Sequence, residues 1–393
     1  MTRPLRVLQV FTVPQSLAFA AGQPAFMRER GIELAVCTSP GEGLGEFAQR
    51  EGCVAYAVEM PRAITPFQDL QAVADLVAVI RRFKPDIVHA STPKGGLLGT
   101  IAARTAGVHG RIYHLRGLVL ATATGRRRAL LKATEKLACA LATDVLCVSH
   151  SLKRTVVAEG IVAESRVEVP LAGSGQGVDA TRRFAPHLAD AARVQQLRDE
   201  WQLHGGPVVL FVGRLVGDKG IVELTSAWSQ LSAAYPDARL VIVGPWEPRD
   251  PVPDDVRQTL EQHPTVRLVG ASREVREWYA LADVVVLPTY REGFPNVLLE
   301  AGAMRKPVVA TRVDGCVDAV EEDRTGILVE PRDAQALAHA IARYLSDPGL
   351  REAHGAAARE RVETLFDRRA IWGAIADIYF RIASRRGDAA GRS

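Results

Sequence analysis

The stretch Asp283-Val-Val-Val-Leu-Pro-Thr-Tyr-Arg-Glu-Gly-Phe-Pro-Asn-Val-Leu-Leu-Glu300 decides how this chain is read. It passes from an apolar run, Asp283–Leu287, through a polar turn into a segment that opens at Pro295. An apolar run without alternation fits a strand covered on both faces, as in a parallel sheet. Pro suits a first helical turn, where its missing N–H leaves nothing unpaired. The N–H groups of Phe294, Asn296, Val297 and Leu298 are then expected to be unpaired donors at the positive end of a helix. Such an end is an anion site suited to a diphosphate. Glu292 precedes the helix, within reach of a sugar hydroxyl, and Glu300 lies inside it, where a carboxylate accepts from a diol such as ribose. Two solvated carboxylates at a helix start are the plain alternative.

Outward from this stretch, β-branched runs alternate with helical patterns. Expected strands in the first half are Leu5–Phe11, Glu33–Thr38, Val54–Val58, Asp86–Ala90, Arg111–Leu115 and Asp144–Val148. A second series runs through Pro207–Val212, Arg239–Val243, Val266–Val269, Asp283–Leu287 and Pro307–Ala310. Strand–helix alternation predicts parallel sheets covered by helices, here an α/β chain of two doubly wound, Rossmann-like domains with a cleft between them. The Gly-rich Pro170–Gly177 reads as a linker, with the domains joined near residues 171–205. The division is 1–175, 176–365 and a C-terminal helix over 366–393 with a polar tail. Ile371, Trp372, Ile375, Ile378, Tyr379 and Ile382 stripe that helix, and Arg385–Ser393 is expected to be disordered.

The loop Gly213-Arg-Leu-Val-Gly-Asp-Lys-Gly220 follows the strand that ends at Val212. Its glycines allow close backbone approach, and Arg214 and Lys219 supply a forked donor and a point charge for phosphate oxygens. A plain βα turn with surface charges is the alternative. Both motifs follow strands of one parallel domain, so both are expected on one rim.

Composition agrees with a soluble globular protein. Hydrophobic residues are 47% and charged residues 24% of 393. The five cysteines (Cys37, Cys53, Cys139, Cys147 and Cys316) form no C-x-x-C pair, which suits a reducing cytoplasm. The apolar stretch Val7–Val13 is short, carries Gln9 and Thr12, and is not a signal peptide. No apolar run approaches a membrane span of about 20 residues. Residues 1–175 carry 21 Lys+Arg against 14 Asp+Glu, or +7, and the remainder 28 against 31, or −3. A basic half predicts an anionic partner for the first domain. No nucleic-acid partner is expected. The nine histidines form no H-x-x-x-H cluster and there is no D-x-D, so no metal and no cofactor are expected.

Taken together, Gly213–Gly220 and Glu292–Glu300 resemble the donor site of glycosyltransferase family 4, retaining enzymes of the GT-B fold. Gly177-Val-Asp179 with Phe184, Asp283–Pro288 and Thr325-Gly-Ile-Leu-Val329 agree with this family. So do His89-Ala-Ser-Thr-Pro-Lys-Gly-Gly-Leu-Leu-Gly99 and Tyr113-His-Leu-Arg-Gly-Leu118, which are similar to a bacterial branch that builds surface polysaccharides on polyprenyl-diphosphate lipids. The resemblance implies a nucleotide-sugar donor, a UDP-sugar, and a lipid-linked saccharide acceptor. Arg214 and Lys219, after Gly213, would hold the diphosphate, and Glu300 the ribose. Glu292 and the backbone around Phe294 would hold the sugar, with Gly270 and Ala271 along the base. The C-terminal helix would cross back to brace the first domain.

The family often has His before Gly where this chain has Arg116-Gly117. An arginine there acts only through its charge, while His114, two residues earlier, reads as a packed strand histidine or as a catalytic group. Lys94 reads either as an acceptor-phosphate contact or as an exposed lysine. Arg128, Lys132 and Lys136 stripe one helix face, either for an anionic membrane surface or simply for solvent. The expected enzyme is a cytoplasmic retaining glycosyltransferase, peripheral on the inner face of the membrane. The rival readings are a nucleotide-sugar epimerase of the same layout and a non-catalytic nucleotide-sugar-binding subunit.

Overall fold

The β-branched runs fold into two separate all-parallel sheets. A computed structural model describes residues 3–248, 250–272 and 274–390, the side chains of 386–390 excepted. The chain divides into two units, Met1–Gln176 with Arg368–Ser393, and Gly177–Asp367. Strands of the first unit are β1 Leu5–Val10, β2 Ile32–Thr38, β3 Val54–Ala57, β4 Ile87–Ser91, β5 Gly110–Leu115, β6 Asp144–Cys147 and β7 Val167–Glu168. They lie in the order β3-β2-β1-β4-β5-β6-β7. The second unit has β8 Val208–Val212, β9 Arg239–Val243, β10 Val266–Gly270, β11 Val284–Leu287, β12 Val308–Thr311 and β13 Gly326–Val329. Their order is β10-β9-β8-β11-β12-β13. Every expected strand forms. β7 and β13 are additions; the first has two residues and the second opens on Gly326, so neither carries a long β-branched signal.

Period-two alternation along β1 sorts its side chains onto two cores. Leu8 and Val10 face the helices Pro66–Phe83 and Pro93–Thr105, packing with Leu76, Ile80, Leu98 and Ala102. Val7 faces the other way, into a cluster with Ile371, Trp372, Ile375, Tyr379 and Ile382 of the helix Arg368–Ala390. That helix therefore completes the first unit, although its sequence follows the second. Gln9 is on the same side as Val7, and its amide donates to Gln23 (2.6 Å) and to the Tyr379 hydroxyl (3.3 Å).

Two expectations change here. The polar stretch Arg385–Ala390 continues the helix, because its Ala and Arg residues favour helix; residues 391–393 lie outside those described. Pro170–Gly177 is not a free linker. Gly173, Ser174 and Gly175 are buried, and the Ser174 N–H donates to Val148 O at 2.6 Å. Positive φ at Leu171, Gly173 and Ser174 turns the chain back onto the end of β6. Residues 191–200 form a helix capped by Asp190, which accepts from the N–H groups of Ala192 and Arg193.

The stripe yields a test. Trp372 is buried, with its ring 5.4 Å from that of Phe26. Trp372→Ala is expected to cost about 3–5 kcal/mol, the usual cost of emptying an aromatic core site, and urea unfolding followed by circular dichroism reads it. An unchanged midpoint would place the helix outside the core.

Candidate active site

In the second sheet the chain leaves β8 for β9 on one side and leaves β11 for β12 on the other. Right-handed crossovers then put the following helices on opposite faces. A crevice opens between β8 and β11 at their carboxyl ends, the place where doubly wound sheets bind ligands. The two motifs occupy this point: Gly213–Gly220 follows β8, and Pro288–Pro295 follows β11. At the same rim Gly213 donates to Val243 O (2.9 Å) and Gly244 to Gly270 O (2.8 Å), so the ends of β8, β9 and β10 are knitted together. Gly270 has φ +75° and Ala271 beyond it is exposed.

The two loops are bonded to each other. Asp218 O accepts from the Tyr290 N–H (2.8 Å) and from the Thr289 hydroxyl (3.0 Å). The Asp218 carboxylate pairs with Arg291 Nε at 2.6 Å. Lys219 Nζ pairs with the Glu292 carboxylate. Gly220 makes the approach sterically feasible: its φ is +68°, and a Cβ there would stand 1.9 Å from Pro288 O. Arg214, 55% exposed, pairs with Glu247. Both proposed phosphate cations thus stand at the crevice, each against a carboxylate.

The helix after Glu292 spans Asn296–Ala303, with Pro295 as its cap residue and not within its first turn. The N–H groups of Asn296 and Val297 precede its first intrahelical bond. Leu298 differs from expectation. Its N–H donates to Pro295 O at 3.1 Å, a tightened first turn that removes it from the free donors. The Phe294 ring packs 5.3 Å from Phe366, which fixes the backbone before the helix. Glu300 Oε2 accepts from the Tyr279 hydroxyl at 2.9 Å. Burial and the adjacent Glu300 push the Tyr279 pKa far up, so the phenol stays a donor.

Tyr279, Glu247, Asp218 and Arg291 were not singled out from sequence. Asp218 and Arg291 sit inside the quoted motifs, but their pairing depends on the adjacency of β8 and β11. Tyr279 stands outside both motifs, on the helix Val275–Leu281. Among the described residues no three His, Cys, Asp or Glu side chains gather as a metal-ligand set.

The first unit repeats the geometry at β1 and β4, whose successors also lie on opposite sides. The Thr12 and Thr92 hydroxyls are 2.7 Å apart, and Thr12 Oγ1 accepts from the Gly95 N–H at 2.9 Å. Lys94, read as an exposed or acceptor-facing lysine, instead turns back onto Asp69 (2.6 Å), Ala63 O and Thr65. The basic stripe is likewise altered. Arg128 and Lys132 both bind Glu159, at 2.6 and 3.0 Å, which leaves Lys136 as its exposed member. His114 is fully buried in β5, its Nδ1 3.1 Å from His89 Nε2. Burial first, and then Arg116, push both imidazole pKa values down, His89 to about 3. Neither ring carries charge near neutral pH. Arg116 is partly buried, its Cζ 4.5 Å from the Phe19 ring centroid.

Comparison with known proteins agrees with this arrangement. Residues 21–172 match the glycosyl transferase 4-like domain, and residues 206–347 match the glycosyl transferases group 1. The capsular polysaccharide biosynthesis glycosyltransferase CapM of Staphylococcus aureus is 32% identical over 374 residues, covering 95% of this chain and 96% of that protein. The UDP-Gal:alpha-D-GlcNAc-diphosphoundecaprenol alpha-1,3-galactosyltransferase of Escherichia coli is 26% identical over 292 residues, 74% of each chain. A solved glycosyltransferase of Rickettsia africae superposes with a TM-score of 0.81 at 20% identity, covering 97% of this chain and 99% of that one. The chain belongs to the group 1, glycosyltransferase 4-like family and is a glycosyltransferase of GT-B architecture.

Proposed function

We propose that the protein transfers a sugar, with retention of anomeric configuration, from a UDP-sugar to a lipid-diphosphate-linked saccharide in surface-polysaccharide synthesis. The observation that carries this reading is the bonded pair of loops at the β8/β11 switch point, which aims Arg214, Lys219 and the start of the helix Asn296–Ala303 at one crevice. The similarity to a UDP-galactose transferase acting on a diphosphoundecaprenol-linked sugar supports the donor and acceptor classes.

In this reading the diphosphate displaces Glu292 from Lys219 and Glu247 from Arg214, and it accepts from the N–H groups of Asn296 and Val297. Glu300, held by Tyr279, accepts from the ribose hydroxyls. Glu292, once released, binds the sugar. The bond from the anomeric carbon to the β-phosphate oxygen breaks as the acceptor oxygen bonds to the same face. The acceptor proton passes to the departing phosphate oxygen. Fixed positive charge stabilises the leaving group, and no metal is required.

A charge-assisted contact contributes about 1.5–3 kcal/mol, or roughly 10- to 100-fold. Lys219→Ala is expected to weaken UDP binding by that factor in calorimetry, while EDTA leaves wild-type transfer intact. Activity lost to chelation and restored by a divalent ion would contradict the charge-only site.

The two glutamates are expected to separate. Glu300→Ala loses UDP affinity. Glu292→Ala frees Lys219, and therefore keeps or gains affinity for bare UDP while losing transfer. Equal losses of UDP affinity in both variants would defeat the assignment.

A membrane surface is the proposed source of the acceptor, and the contact surface is not the stripe at Arg128 and Lys132. Ile64, Phe67 and Leu70 are 61%, 91% and 72% exposed around the start of the helix Pro66–Phe83. A helix that follows a strand starts near that strand's carboxyl end. This places them on the same rim as the exposed Arg126 and Arg127 that open the helix Gly125–Leu141. Apolar side chains beside basic ones suit an anionic lipid interface. No helix among the described residues is long and apolar enough to cross a membrane. Wild type is expected to sediment with anionic vesicles at low salt. Phe67→Asp/Leu70→Asp is expected to stay in the supernatant, and Arg128→Ala/Lys132→Ala to behave as wild type. A wild type indifferent to vesicles at every salt concentration would point to a soluble acceptor.

A further inference from the structure

The first unit carries a positive charge that its own residues leave unpaired. Two other part-buried arginines there are matched: Arg6 pairs with Glu33 at 3.0 Å, and Arg111 donates to Leu141 O and Val108 O, each at 2.8 Å. Among the described residues Arg116 has no hydrogen bond and no ion pair, and its Nε is inaccessible and unbonded. It follows β5 directly, with its guanidinium over the Phe19 ring. The turned-back segment makes room for it. A Cβ at position 175 would stand 2.3 Å from Arg116 Nη1, so Gly175 leaves the space in which the guanidinium lies.

A buried donor chain runs to the same place. Gln9 donates to the Tyr379 hydroxyl, and Tyr379 to His89 Nδ1, 2.5 Å away. With the Tyr379 hydroxyl donating to Nδ1, His89 carries its proton on Nε2 and donates to His114 Nδ1, 3.1 Å away. His114 is left with Nε2–H, which is buried without a partner. His114 and Arg116 are two apart on an extended segment and so face the same side. Ser91, register neighbour of His114 on β4, also has an unpartnered buried hydroxyl. An unpaired guanidinium taken partly out of water destabilises a fold unless a counter-ion arrives, and a buried N–H without an acceptor adds to the cost.

We propose that Arg116, with the Nε2–H of His114, forms an oxyanion site in the first unit that takes one phosphate or carboxylate group of the acceptor. The source of the anion, a lipid diphosphate or an acidic sugar, rests on the reading that this unit receives the acceptor. The site itself does not.

The test is thermal unfolding of the full chain at fixed ionic strength, with UDP present throughout, titrated with inorganic pyrophosphate or with galacturonate. The wild-type midpoint is expected to rise by a few degrees with at least one of them. Pyrophosphate as the stronger probe assigns the lipid diphosphate, and galacturonate assigns an acidic sugar. Arg116→Met is expected to abolish the rise and, without added anion, to unfold no lower than wild type. Arg116→Lys keeps the charge without the fork, and its apparent affinity is expected to fall roughly 10- to 100-fold. Lys219→Ala is expected to keep the rise, which separates this site from the one in the second unit. A rise that survives in Arg116→Met but vanishes in Lys219→Ala would overturn the proposal. So would no rise with either anion. An Arg116→Met protein that melts well below wild type with its anion response intact would make Arg116 a packing residue on Phe19.

Discussion

Everything at the candidate site depends on how closely the loop after β8 approaches the loop after β11. In a parallel sheet ordered β10-β9-β8-β11-β12-β13, these strands are neighbours whose successors lie in opposite directions. The rim between them is therefore left uncovered by the crossover helices. Gly220 sets the contact distance: its left-handed backbone lies so close to Pro288 O that no side chain fits. The Asp218–Arg291 and Lys219–Glu292 pairs follow from that approach. A larger residue at position 220 would separate the loops and, with them, the charges.

The electrostatics of the two units contrast. In the second unit the cations meet carboxylates of their own chain, which position Arg214 and Lys219, and in the proposed function they exchange these partners for the diphosphate. Their orientation is set before binding, which limits the reorganisation needed as leaving-group charge develops. In the first unit Arg116 has no internal carboxylate, and burial lowers its pKa to about 10, still well above neutrality. It therefore stays charged and unpaired, whereas the neutral His89–His114 pair beside it contributes hydrogen bonds and no charge.

Much of the fold was legible because parallel strands are buried on both faces and read as plain β-branched runs. Val284–Leu287, wholly buried, is the clearest case. The places of the two motifs were legible because each follows a β-branched run, with Gly or Pro marking the turn into the next element. What escaped was pairing across sequence distance. Arg128 and Lys132 read as a free stripe, yet Glu159 lies between them in space. Lys94 read as reaching outward, yet Asp69 on the preceding helix holds it. Leu298 read as a free donor, yet a tightened first turn gives it Pro295 O. The Gly-rich stretch at 170–177 read as a linker, because sequence shows the conformational freedom of glycine and not the close contact with Arg116 that Gly175 permits. Leu298 apart, whose partner is local, a partner distant in sequence changed the meaning of a local pattern.

The central claim is that the crevice between β8 and β11 holds a nucleoside diphosphate by charge and helix end alone. A crystal structure of the protein soaked with UDP in metal-free buffer tests it most directly. The account predicts diphosphate oxygens within hydrogen-bond distance of Arg214, Lys219 and the Asn296 or Val297 N–H, with the ribose on Glu300 and Glu292 released from Lys219. UDP bound elsewhere, or bound here only through an added divalent ion with the Lys219–Glu292 pair unbroken, would contradict it.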